Sequence, residues 1–126
     1  MGLPSGQDVA RAMGMAPLSD EKLVVGKATE ANQHTNKSIA ALPKVGHEFE
    51  GKAPLWYYVL AEAQQQFKKD DTPIHLGPVG GRIVTETFVG LMLGDSHSYL
   101  SQDPSWAPNR QRQFGIADLI ATAINP

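Results

Sequence analysis

Pro54-Leu55-Trp56-Tyr57-Tyr58-Val59-Leu60-Ala61-Glu62-Ala63-Gln64-Gln65-Gln66-Phe67 places Leu55, Trp56, Val59, Leu60, Ala63 and Phe67 at i, i+1, i+4, i+5, i+8 and i+12. That is the apolar stripe of one helix face, and Glu62, Gln64, Gln65, Lys68 and Lys69 lie mostly off it. Pro54 is tolerated at a helix start, where its missing N–H costs nothing, and Asp70-Asp71-Thr72-Pro73 ends the run. The spacing predicts a helix over 54–68.

Outward from it, Pro78 opens a second helix over 78–93. Val79, Ile83, Val84, Phe88, Leu91 and Met92 keep helical spacing, Arg82, Thr85 and Glu86 face away, and Gly94-Asp95 marks the end. A third runs over 115–124 on Ile116, Leu119, Ile120, Ala123 and Ile124. Toward the amino terminus, Ser5 and Asp8 form a short-armed capping box for a helix over 5–13, stopped by Gly14 and Pro17. Ser19-Asp20-Glu21-Lys22 reads as a further start, with acids in the first turn and a helix over 19–31 that Gly26 weakens. Gln33 to Ala53 is irregular, with one turn around Lys37–Leu42, and Ser96 to Arg112 is a polar loop carrying Tyr99 and Trp106. There is no run of alternating β-branched residues and no internal repeat. The class is all-α: about five helices with long irregular loops in a single helical domain, 1–126. Trp56, Leu60, Ile83, Phe88, Leu119 and Ile120 are expected to share one core.

Composition limits the function. The 126 residues hold 11 Lys plus Arg against 13 Asp plus Glu, a formal charge of −2. No basic face for nucleic acid or a membrane surface is expected from that balance. Cysteine is absent, which removes disulfides, thiolate zinc sites and cysteine nucleophiles. Twelve glycines and nine prolines exceed the usual share of about 12% and fit short helices joined by loops. The start, Met1-Gly2-Leu3-Pro4-Ser5-Gly6, is no secretory signal, and it has Gly6 where a myristoylation signal needs Ser or Thr. The longest apolar stretch, Ile83 to Leu93, is too short and too polar to span a bilayer. As written, the chain is expected to be cytoplasmic.

Several groups invite a chemical reading. Leu76-Gly77-Pro78-Val79-Gly80-Gly81-Arg82 suggests a phosphate loop, but no Lys follows and no strand precedes it. It reads as a helix start with close helix packing. His34, His47, His75 and His97 are scattered through predicted loops, with no i, i+4 pair for a metal. Asp20-Glu21 and Asp70-Asp71 are adjacent acids and read as surface; acid–base chemistry needs carboxyls in different environments. Trp56-Tyr57-Tyr58 could stack a ligand but reads as core. No catalytic, cofactor-binding or metal-ligating residue is assigned.

Three stretches carry a family resemblance. Gly2-Leu3-Pro4-Ser5-Gly6-Gln7-Asp8-Val9-Ala10-Arg11-Ala12-Met13-Gly14 resembles the Gly-Leu-Pro segment in the C-terminal part of bacterial animal-type haem peroxidases, of the peroxidase–cyclooxygenase superfamily. Pro54 to Ala63 resembles the helix that follows in those enzymes. Leu76-Gly77-Pro78-Val79-Gly80-Gly81-Arg82-Ile83-Val84, through Gly94-Asp95, Ser98-Tyr99-Leu100 and Asp103-Pro104-Ser105-Trp106, is similar to their closing signature. Order and spacing agree nearly end to end.

The resemblance implies the C-terminal helical lobe of a haem-dependent peroxidase, an oxidoreductase with hydrogen peroxide as acceptor and a place in the response to oxidative stress. In the family a proximal His holds the haem iron, and a distal His and Arg help split the O–O bond. Those residues, and the Asn supporting the proximal His, precede the Gly-Leu-Pro segment, so none carries over, and neither His34 nor His97 replaces them. Haem is then the cofactor of the intact family member and is not expected on this chain alone. The implied partner is the N-terminal catalytic part. Met1 is left with three origins: an internal methionine, a split gene or a cut piece. The alternative is a stand-alone helical interaction module that kept the fold and lost the chemistry; weaker still is a small-molecule binder built on Trp56–Tyr58.

Overall fold

A helix that opens Gly77-Pro78 has no side chain of its own to cap it, so its first N–H groups need an acceptor from elsewhere. In the computed structural model that acceptor is Glu62. The structure describes residues 2–26, 37–43, 46–70, 75–105, 107, 115, 120–121 and 123–124, with the backbone alone for 66–70. Its helices are α1 (Gly6–Ala12), α2 (Leu55–Asp70), α3 (Pro78–Gly94) and α4 (Tyr99–Gln102), joined by long loops that hold three short 3₁₀ turns. Among the described residues there is no strand, only two isolated bridges, Ser5 with Pro54 and Val24 with Ser38. The fold is all-α.

Residues 1–87 and 88–126 form two units. In the first, α1 begins and ends as local chemistry dictates. Ser5 Oγ accepts from the Asp8 N–H at 3.2 Å and donates to the Asp8 carboxylate at 2.7 Å. At the other end Gly14 takes φ +73°. The Met15 N–H reaches the Ala10 carbonyl and the Gly14 N–H the Arg11 carbonyl, each at 2.9 Å. This is a Schellman stop, which uses a left-handed residue. Ala10, Leu23, Ile39, Ala53, Tyr58, Ala61 and Val79 form the buried core, with Met15, Leu18, Phe49 and Ile83 packed on its edge.

α2 faces this core with a side that its composition does not advertise. Tyr58, Ala61, Glu62 and Gln64 are buried, whereas Trp56 is 66% exposed and Leu60 48%. At about 100° per residue, Trp56 and Leu60 lie about 160° from Tyr58, so the expected apolar stripe is turned away from the core. Polar bonds hold this orientation. The Glu62 carboxylate accepts from the Val79 N–H at 2.9 Å and the Gly80 N–H at 3.0 Å. Gln64 Oε1 accepts from the Gly26 N–H at 3.0 Å, and Gln65 Nε2 donates to the Lys22 carbonyl at 2.8 Å. The Tyr58 hydroxyl accepts from the Leu18 N–H and the Tyr57 hydroxyl donates to the Leu23 carbonyl, both at 3.0 Å. The Gly77-Pro78-Val79-Gly80-Gly81 run is thus a helix start under close packing: a Cβ on Gly77 would lie 2.1 Å from Glu62 Cγ.

Other expectations are corrected. No helix forms from residue 19. A 3₁₀ turn over Asp20–Lys22 gives way to non-helical chain at Leu23–Val25, and residues 27–31 lie outside the described set. The reason is competition for carbonyls. The Asp20 carbonyl takes the Leu23 N–H at 3.1 Å and the Ser38 hydroxyl rather than the Val24 N–H that an α-helix would give it, and the Val24 N–H turns to the Lys22 carbonyl. Asp20 is no surface acid either: its carboxylate accepts from Gln7 Nε2 at 3.0 Å and the Gly51 N–H at 2.9 Å. The turn expected near Lys37–Leu42 is a 3₁₀ turn at Ile39–Ala41.

Of the six expected core residues, Trp56, Leu60, Phe88 and Ile120 are exposed and Ile83 packs on the core's edge. Leu119 lies outside the described residues. So does most of the 115–124 stretch, in which Ile120, Ala121, Ala123 and Ile124 are helical.

In the second unit α3 ends at Gly94, and Asp95 closes a turn by accepting from the His97 N–H at 2.8 Å. Ser98 Oγ donates to the Met92 carbonyl. The short α4 stands in what the composition presents as loop; its end is sealed by the Asp103 N–H on the Tyr99 carbonyl at 2.8 Å. Phe88, Leu91 and Leu93 are exposed. No described helix is long and apolar enough to cross a membrane.

Two predictions follow from the α2 contacts. Glu62→Ala leaves the buried Val79 and Gly80 N–H groups without an acceptor, and a urea melt should show a loss of about 1–3 kcal/mol. Glu62→Gln, which keeps one acceptor oxygen, should lose less. Burial pushes the Tyr57 and Tyr58 hydroxyls above the ordinary tyrosine value of 10.0. The folded state therefore holds these protons more tightly than the unfolded chain. Their contribution to stability is intact below pH 10 and is lost as pH rises through the folded values. Melting temperature should fall above about pH 10, and Tyr58→Phe should flatten that fall at the cost of the Leu18 bond.

Candidate functional site

The outward face of α2 forms one wall of a groove of about 620 Å³. Trp56, Val59 and Leu60 supply that wall, Leu3 and Pro4 of the extended amino-terminal segment the other, and Ile83 of α3 an end. The groove exists because Ser5 bridges to Pro54, with the Gly6 N–H on the Ala53 carbonyl at 2.9 Å. That contact lays the Gly-Leu-Pro segment beside the start of α2. Trp56 is held edge-on to Tyr57, with ring centroids 5.8 Å apart and planes at 82°, a favourable aromatic geometry. Among the described residues no charged side chain lines the groove. Ser5 is the one hydroxyl there, and its Oγ is committed to Asp8. Chemically the described lining can bury an apolar surface.

The residues weighed from sequence do not converge on it. Of the Trp56-Tyr57-Tyr58 cluster, Tyr58 is core, Tyr57 sits at its edge, and Trp56 alone faces the groove. His47, His75 and His97 are exposed, and His34 lies outside the described residues. Asp95, Ser96 and His97 do meet, with Ser96 Oγ 3.3 Å and Asp95 Oδ1 3.6 Å from the same ring nitrogen, Nδ1. A nucleophilic relay needs the hydroxyl and the carboxylate on opposite nitrogens, so this is an exposed turn contact. Among the described residues no three His, Asp or Glu side chains gather as a metal site. Haem requires an axial ligand fixed by a neighbouring partner. His47 and His75 are exposed and do not line the groove.

Sequence reasoning missed Glu62, read as lying off the apolar stripe and found 5% exposed. A signal was present: a 17-residue helix starting at Gly-Pro with no Ser, Thr, Asp or Asn to cap it needs an acceptor from another element.

No protein-family model matches the chain, and no curated protein or solved structure matches it.

The orientation of α2 is tested by two truncations. Leu23 is fully buried, and Leu23→Ala should cost about 2–5 kcal/mol in a denaturant melt. Leu60 is half exposed, and Leu60→Ala should cost about 1 kcal/mol or less. Equal losses at the two positions would mean that α2 is rotated the other way.

Proposed function

We propose that the chain is the C-terminal helical lobe of a haem-dependent peroxidase of the peroxidase–cyclooxygenase superfamily, an oxidoreductase with hydrogen peroxide as acceptor. In this reading the lobe works by packing against the polypeptide that carries the haem, and has little peroxidase activity alone. The observation that carries it is the reversed face of α2. Pro54 to Ala63 is one of the stretches that resemble the family, and it turns Trp56 and Leu60 away from the chain's own core. An apolar stripe left facing water is the mark of an interaction surface. The groove beside it is formed with Leu3 and Pro4, from the Gly-Leu-Pro segment, a second stretch of the resemblance. The absence of a charge in the groove agrees with a partner that buries it. The lobe's own residues supply shape and apolar area and no step of proton or electron transfer.

The test is reconstitution. The chain alone, mixed with haem, should give a weak, broad Soret change and peroxide-dependent dye oxidation near that of free haem. Co-expressed with a polypeptide carrying the haem-binding helices of a bacterial family member, it should copurify one to one with a defined Soret band. Trp56→Glu should weaken that complex by at least about tenfold, the scale of an interface anchor, while leaving the melt of the isolated chain nearly unchanged. Failure to form the complex would overturn the proposal. So would stoichiometric haem binding and turnover by the chain alone, lost on changing one of its histidines.

A further inference from the structure

We draw no further inference here: the strongest candidate, the open apolar groove along Trp56 and Leu60 on the outward face of α2, belongs to the surface already used in the proposed function, and nothing in the structure beyond that shows what covers it.

Discussion

The Glu62 carboxylate seated on the first N–H groups of α3 fixes how α2 and α3 meet. A buried carboxylate is costly unless its charge is met by donors. Here the donors are backbone N–H groups at the positive end of a long helix, where an anion is favoured. The helix gains its missing cap and the carboxylate its solvation. The fit is close because neither Gly77 nor Gly80 carries a Cβ: one on Gly80 would lie 2.7 Å from Val59 Cγ1. With Glu62 turned toward α3, helical geometry turns Tyr58, one turn back, toward the core and sends Trp56 and Leu60 outward.

The long irregular stretch before α2 is held by the same kind of bond. Gln7, nearly fully buried, donates to Asp20 and accepts from the Ala53 N–H at 2.9 Å. Asp20 in turn takes the Gly51 N–H, and its carbonyl takes Ser38. Backbone groups drawn into an interior must find partners, and side chains supply them here in place of helix or sheet. A stretch that is unusual for a small domain is thereby tied to α1 at Ala53, through Gln7, and to the Asp20 turn at Ser38 and Gly51.

This arrangement explains why an amphipathic reading of α2 and its structure differ. Hydrophobic periodicity measures which face is most apolar, not which face a polar latch commits to the chain's own core. In α2 the two faces are opposed. The more apolar face is left to line a groove whose described lining carries no charge and a single hydroxyl, bonded to Asp8.

Much of the secondary structure was legible because its causes are local. Ser5 and Asp8 start α1 and Gly14 stops it, Pro78 opens α3 and Gly94 ends it; each device acts within a turn of the residue that supplies it. The incompatibility of the glycine run with a phosphate loop was legible for the same reason, since the residues such a loop needs are absent nearby. The turn at Asp20, the burial of Glu62 and the rotation of α2 were not legible. They rest on hydrogen bonds between residues 17, 18 and 46 apart in sequence, Glu62 with Val79, Ser38 with Asp20, and Gln7 with Ala53. The amino-acid sequence by itself determined where α1 begins and ends, because its cap and its stop are satisfied by neighbours along the chain. Only the tertiary structure decided which face of α2 is inside, because buried N–H groups accept whichever distant oxygen the packed chain brings to them.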